Sequence, residues 1–307
     1  MKLRTVAIVA TAAGAAVVLR NKIGIVEDLD WNDAPRRGAL IDIDGVRIHY
    51  IDEGSGPAVV LIHGFGGQTY QFRHVIPSLA RDHRVIAVDL KSFGYSERST
   101  HNVSHTDQVT MLHALLRKLG VARATFVGHS MGGAVVQRFA ATFPEMVDAL
   151  VLAASAVGDE RFGRREPPAW LLRPIVPILG KVVAKRLFEA SFFDPSKITA
   201  EMRDEYHRPE RIRGSMDALV AMMTAGADDA PIDRSRITMP VLLLYAADDK
   251  VARLSLGQKL REQLPQAKLV VLDRCGHLLF DEQPQECERA IRDFLREAHV
   301  GAETASV

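Results

Sequence analysis

Residues 124–134 read ATFVGHSMGGA. An apolar run, Ala124–Val127, leads into Gly128-His129-Ser130-Met131-Gly132-Gly133, and a helical pattern follows from Ala134 to Thr142. A Gly-x-Ser-x-Gly match alone is weak, but its setting between a buried strand and a helix is that of a nucleophile elbow. Glycines suit such a turn because the backbone is strained and its neighbours come close. The turn predicts a Ser130 hydroxyl lifted clear of a sheet, beside a helix N-terminus.

Outward from this turn the chain alternates. Apolar runs at Ala58–Ile62, Arg84–Leu90, Ala149–Leu152, Val241–Tyr245 and Lys268–Leu272 read as strands. Those that are continuously apolar suit strands buried on both faces. Leu40–Ile43 and Val46–Ile51 alternate around Asp44-Gly45, the signal of a tight hairpin. Helical patterns cover 74–81, 107–119, 134–142, 254–264 and 285–299. Strand–helix alternation predicts an α/β fold with a mostly parallel sheet flanked by helices and right-handed crossovers. Residues 157–236 break the rhythm, with helical segments, no convincing strand and prolines at 167, 168, 174, 177, 195, 209 and 231. Such an insertion reads as a helical cap, and its apolar stretch from Ala169 to Phe193 offers Trp170, Leu171, Phe188 and Phe192 as pocket residues. The expected division is a core over 31–156 and 237–300, a cap over 157–236 and a tail over 301–307.

A serine hydroxyl needs a base to become a useful nucleophile. Of eleven histidines, His277 is singled out because Cys275-Gly276-His277 follows the last strand. There the C-terminal ends of parallel strands gather, where open α/β sheets place their sites. An acid must orient that imidazole, and Asp248 and Asp249 both follow the strand Val241–Tyr245. Chain order, serine then acid then histidine, matches one of the known triad arrangements. Two backbone N–H groups are needed for a developing oxyanion. Met131 offers one, and Phe65, in the glycine loop His63-Gly64-Phe65-Gly66-Gly67, offers the other. His63 and Asp89 read as structural, and Cys275 as a small buried thiol. Such chemistry requires no cofactor and no metal.

The N-terminus stands apart. Lys2 and Arg4 precede an uncharged run from Thr5 to Leu19, and Arg20 and Lys22 close it. A basic start and an apolar stretch read as a membrane anchor or a cleaved export signal, although the run is shorter than the ~20 residues that comfortably span a bilayer. Residues 1–30 are accordingly expected to lie outside the fold, in a protein that is membrane-associated or exported. The remaining composition is ordinary: 307 residues, 25% charged, 47% hydrophobic, and 39 Lys and Arg against 38 Asp and Glu. A net charge of +1 excludes a general electrostatic grip on nucleic acid. Two cysteines, Cys275 and Cys287, exclude a disulfide-built fold and a cysteine zinc site. Oligomeric state is not readable.

Together, HGFGG at 63–67, DLKSFGYS at 89–96, GHSMGG at 128–133, AADDKV at 246–251 and CGH at 275–277 resemble the α/β-hydrolase superfamily, over residues 40–298. The resemblance implies the α/β-hydrolase fold and a Ser130–Asp249–His277 triad. It aligns Asp249 with the family acid, with Ala246 where a glycine is usual. Dehalogenases and epoxide hydrolases of this layout carry aspartate at the elbow. The meta-cleavage C–C hydrolases keep the serine but often place asparagine where His129 stands. The GHSMGG form, the apolar cap and the N-terminal run are similar to those of membrane-associated monoacylglycerol lipases and microbial esterases or lipases. That implies a small-molecule carboxylic ester with an apolar acyl group as substrate. A C–C bond hydrolase using the same triad is the alternative, and a non-catalytic binding protein a further one.

Overall fold

A computed structural model describes residues 24–158, 168–225 and 229–304, with side chains through residue 298. Its strands are β1 (Ala39–Ile43), β2 (Val46–Glu53), β3 (Ala58–Ile62), β4 (Arg84–Val88), β5 (Ala124–His129), β6 (Val147–Ala153), β7 (Val241–Ala246) and β8 (Lys268–Leu272). Among the described residues they form one eight-stranded sheet in the order β1-β2-β4-β3-β5-β6-β7-β8. β1, β2 and β4 pair antiparallel, and every pair from β4 to β8 is parallel. The β1–β2 hairpin closes through Asp44 and Gly45, with φ of 50° and 81°, the left-handed pair such a turn requires.

Alternation along the parallel strands divides the core between two faces. Val60, Ile62, Ile86, Phe126, Leu150, Leu243 and Tyr245 face one side. They meet helices α2 (His105–Lys118), α3 (Met131–Thr142) and α7 (Leu254–Gln263). Val59, Leu61, Val85, Val127, Val151, Leu242 and Leu244 face the other. Short α1 (Ile76–Leu79), α8 (Leu279–Glu282) and long α9 (Pro284–Thr304) cover that side. Each fully buried Val, Leu or Ile contributes about 1.5–3 kcal/mol, so the two helical layers hold the sheet flat-on between them.

Helix boundaries follow their caps. α2 starts two residues before the expected 107 because Ser104 accepts the Asp107 N–H while Asp107 accepts the Ser104 N–H, a reciprocal capping box. The expected helix over 74–81 shrinks to α1, which begins around Pro77. Between β6 and β7 lie α4 (Ala169–Ala190), α5 (Ala200–His207) and α6 (Ser215–Ala225), with no strand among the described residues.

One expected boundary is corrected. The apolar run 5–19 lies outside the described residues, but residues 25–30, expected outside the fold, belong to the folded structure and lead into the strap that continues to residue 34. Leu29 pairs in parallel with Ile212, donating its N–H to the Arg211 carbonyl and accepting that of Arg213, both at 3.0 Å. Ile25 N–H donates to the Pro177 carbonyl, and Glu27 accepts the Met216 N–H. Asp28 and Asp30 pair with Arg211 and Arg213. Trp31 then donates its indole N–H to the Tyr95 carbonyl at 2.9 Å. Composition marked the N-terminal apolar run, but pairing of this kind leaves no periodic trace in an extended strap.

A close backbone approach lies at the start of α3. A Cβ built on Gly132 would sit 2.4 Å from the carbonyl oxygens of both Ile62 and His63. A Cβ on Gly180, in α4, would meet only the ends of side chains, Ile25 at 3.3 Å and Val176 at 3.9 Å. Gly132→Ala is therefore expected to lose about 1–3 kcal/mol or more through overpacking. Gly180→Ala should be neutral or gain up to ~1 kcal/mol from helix propensity. Denaturant unfolding of both variants checks the contrast.

Candidate active site

Ser130 occupies the turn between β5 and α3 with φ 52° and ψ −117°, a conformation costing on the order of 1–3 kcal/mol for a residue with a side chain. Neighbouring backbone holds it there. Its N–H donates to the Ala153 carbonyl, and its carbonyl accepts the N–H groups of Gly133 and Ala156, each at 3.0 Å. The glycines around it answer to contact. Cβ atoms at Gly128 and Gly133 would fall 2.5 Å from the Gly132 carbonyl oxygen and 2.1 Å from Ser155 Oγ.

Three expected residues converge. Ser130 Oγ lies 3.0 Å from His277 Nε2, and His277 Nδ1 lies 2.8 Å from Asp249 Oδ2. The carboxylate can only accept, so Nδ1 carries the proton and Nε2 offers its lone pair to the serine hydroxyl. The second carboxylate oxygen of Asp249 accepts the Val251 and Ala252 N–H groups at 2.7 and 2.8 Å. Burial pushes the Asp249 carboxyl up, but His277 and these two N–H groups outweigh it and hold the group below the usual carboxylate range. Asp248 is exposed and accepts the Arg274 N–H instead.

The loop after β3 runs beside the serine. A Cβ on Gly64 would lie 3.0 Å from Ser130 Cβ, which brings the Phe65 backbone to the same end of the sheet as Met131, the first residue of α3. His63 bridges its own loop, donating to the Gly64 carbonyl and accepting the Leu90 N–H. Asp89 organises the next loop, accepting from Thr69, Tyr95 and the ring of His49 at 2.6–2.8 Å. Cys275 and Cys287 are free and buried, and burial pushes the Cys275 thiol up to about 12.

The expected pocket residues separate. Phe188 and Phe192 are buried with Ile198, Met202, Tyr206 and Leu278, the last adjacent to His277. Trp170 is 73% exposed, and Leu171 is exposed as well. Both sit in the first turn of α4, outside that cluster, because only the far end of the helix reaches the core.

Two residues at the site escape sequence reading. Glu282 is buried and accepts three backbone N–H groups, from Gly276, Phe193 and Asp194, at 2.7–3.0 Å. It thereby staples the end of α4 to the His277 loop. His129 donates its Nε2–H to the His277 carbonyl at 2.9 Å, with the two rings 4.7 Å apart. Neither residue has a local sequence signal, since both act on partners more than eighty positions away or on backbone.

A strained serine at a strand–helix turn, hydrogen-bonded to a histidine that a buried carboxylate orients, defines the geometry of a nucleophilic triad. Residues 59–290 match the model of the alpha/beta hydrolase family, and the chain belongs to that family. It is 32% identical to a 2-hydroxy-6-oxononadienedioate/2-hydroxy-6-oxononatrienedioate hydrolase of Burkholderia vietnamiensis, over 82% of this chain and 91% of that one. A meta-cleavage product hydrolase from Pseudomonas fluorescens IP01 superposes with a TM-score of 0.70 at 27% identity, covering 85% of this chain and 98% of that one. An esterase from Exiguobacterium antarcticum shares the fold with a TM-score of 0.74 at 21% identity, covering 85% and 100%.

Burial and the nearby His277 push His129 down to about 3, whereas an unfolded histidine titrates near ~6.5. Between those values the unfolded chain binds a proton that the folded chain does not. Stability therefore falls as pH drops through that window. In His129→Asn the slope of unfolding free energy against pH between about 6 and 4 should be shallower by about one proton. Guanidinium unfolding at several pH values reads the slope, and an unchanged one refutes the assignment.

Proposed function

We propose that the protein is a serine hydrolase of carboxylic esters with apolar acyl groups. The hydrogen-bonded chain Ser130–His277–Asp249 carries this reading. Ser130 Oγ attacks the ester carbonyl carbon while His277 Nε2 takes its proton. Asp249 holds the ring in the required tautomer and stabilises the imidazolium. The N–H groups of Phe65 and Met131 receive the oxyanion. His277 then protonates the leaving alcohol, and water, activated by the same nitrogen, releases the acid from the acyl-enzyme. The helices between β6 and β7 act as a cap, and the aromatic cluster at Phe188 and Phe192, packed beside the His277 loop, supports an apolar acyl group.

A second reading, hydrolysis of a C–C bond in a dienoic diketone, rests on the likeness to the Burkholderia vietnamiensis and Pseudomonas fluorescens proteins. It uses the same three side chains, so substrate preference decides between them. Nitrophenyl esters of two to sixteen carbons should be turned over with a maximum beyond acetate. A vinylogous diketone cleaved faster than every ester would instead establish the C–C reading.

Ser130→Ala is expected to lower kcat by at least ~10⁴-fold and to abolish labelling by a fluorophosphonate probe. Activity retained in that variant refutes both readings.

A further inference from the structure

A buried polar cluster joins the cap to the turn that follows His277. Tyr206, on α5, donates its hydroxyl to Asp281 Oδ2, and Arg73 donates from its guanidinium to Asp281 Oδ1, both at 2.5 Å. The Asp281 side chain is fully shielded from solvent, and Arg73 is 20% exposed. Burial and the Asp281 charge hold Tyr206 well above the usual phenol range, so its hydroxyl keeps the proton it donates. The Ser130–His277–Asp249 chain uses none of these three groups.

Stability does not account for such a cluster. Desolvating a carboxylate and a guanidinium costs about as much as their attraction returns, and apolar residues of similar volume often serve as well or better. The best-attested use of a buried polar group is to fix register. The surrounding contacts do this poorly. The Tyr206 ring stands edge-on to Tyr70 with centroids 5.8 Å apart and lies 5.0 Å from Phe188, which in turn meets Phe192 at 5.4 Å. Burial of these rings rewards area rather than direction, whereas the Tyr206–Asp281 bond has one geometry.

Position makes that register matter. Asp281 and Glu282 are neighbours on α8, the turn directly after His277 and Leu278. Glu282 takes the Phe193 and Asp194 N–H groups just past α4, while Asp281 takes α5. Between them Leu278 donates its N–H to the Ser191 carbonyl at 3.1 Å and packs its side chain in the Phe188–Phe192 cluster. From the other side of the site, Gln68 donates its amide to the carbonyl of Glu205, the residue before Tyr206. The His277 turn and the loop that carries Phe65 thus both reach α5 within one residue of Tyr206.

We infer that Tyr206, Asp281 and Arg73 are positioning residues that fix α5 of the cap against the His277 turn and so set the depth of the apolar acyl site. This rests on the reading of Phe188 and Phe192 as the support for the acyl group. Tyr206 touches Phe188 directly, so a shift of α5 along α8 moves the aromatic wall that a long acyl chain meets. A two-carbon acyl group carries no chain to press on that wall.

The test compares the full chain with Tyr206→Phe and with the triple variant Arg73→Met, Tyr206→Phe, Asp281→Leu, which removes every polar member at once. Hydrogen exchange of the backbone amides of α5 should quicken by at least ~10-fold in both, the least that one hydrogen bond to a charged group is worth. The ratio of kcat/KM for a dodecanoyl over an acetyl nitrophenyl ester should fall by at least ~10-fold in both, chiefly through KM. The triple variant should nevertheless unfold at the same guanidinium concentration as the wild type or higher, because no charge is left unpaired. Unchanged exchange in the triple variant overturns the inference and leaves aromatic packing to place α5. A constant ratio overturns it too when both esters slow together and stability falls, since the cluster is then a stabilising contact only. A wild-type chain that hydrolyses no ester refutes the reaction proposed above, and exchange alone then decides whether the cluster fixes α5.

Discussion

The backbone of Ser130 is held in a conformation that an isolated chain would abandon, and the rest of the site depends on that restraint. Its φ of 52° is kept by hydrogen bonds from the end of β6 and the first turn of α3. Those bonds form only because β3, β5 and β6 close to within contact of α3 at Gly128, Gly132 and Gly133. The sheet's order, with β5 between β3 and β6, supplies the two neighbours that enforce the turn. Strain on the order of 1–3 kcal/mol is small beside the burial of the central strands, so the fold can sustain it permanently.

Around that turn the loops are organised by buried carboxylates that accept backbone N–H groups. Asp89 gathers Thr69 and Tyr95, Asp249 gathers Val251 and Ala252, and Glu282 gathers Gly276, Phe193 and Asp194. Hydrogen bonds to a charged group are each worth about 1.5–3 kcal/mol, and one carboxylate can satisfy several donors from different segments. Asp249 couples this to chemistry, since one oxygen fixes its own loop and the other fixes the imidazole. Asp89 is itself paired with His49. Burial opposes a charge on that ring, but Asp89 and the Arg37 carbonyl outweigh it and raise its titration.

Much of this was legible in advance. The continuous apolar runs marked the parallel strands because both faces of the sheet are covered, and Asp44-Gly45 marked the hairpin because few residues tolerate two consecutive positive φ values. Ser130 and His277 were legible because an elbow and a post-strand loop confine them locally. The adjacent aspartates were harder, since one residue of register decides which carboxyl faces the ring. Glu282 and His129 were not legible, because their partners are backbone atoms of distant loops. The pocket residues were only half legible. Apolarity picked out all of Ala169–Phe193, yet an outward-facing row and an inward-facing cluster have the same composition.

Residues 25–34 give the molecule a mechanical property. They bond in turn to α4 at Pro177, to the Arg211–Met216 segment and to the β4 loop at Tyr95, so they cross the helical insertion and end on the sheet domain. The insertion is therefore restrained on two sides: by its own covalent connections to β6 and β7, and by the hydrogen bonds and ion pairs it makes with the N-terminal chain. A load applied at residue 24 would be shared in shear by Leu29 and its ion-paired neighbours rather than opening one contact at a time. Residues 25–30, expected outside the fold, are part of a brace, and a chain begun at residue 35 would be a looser molecule.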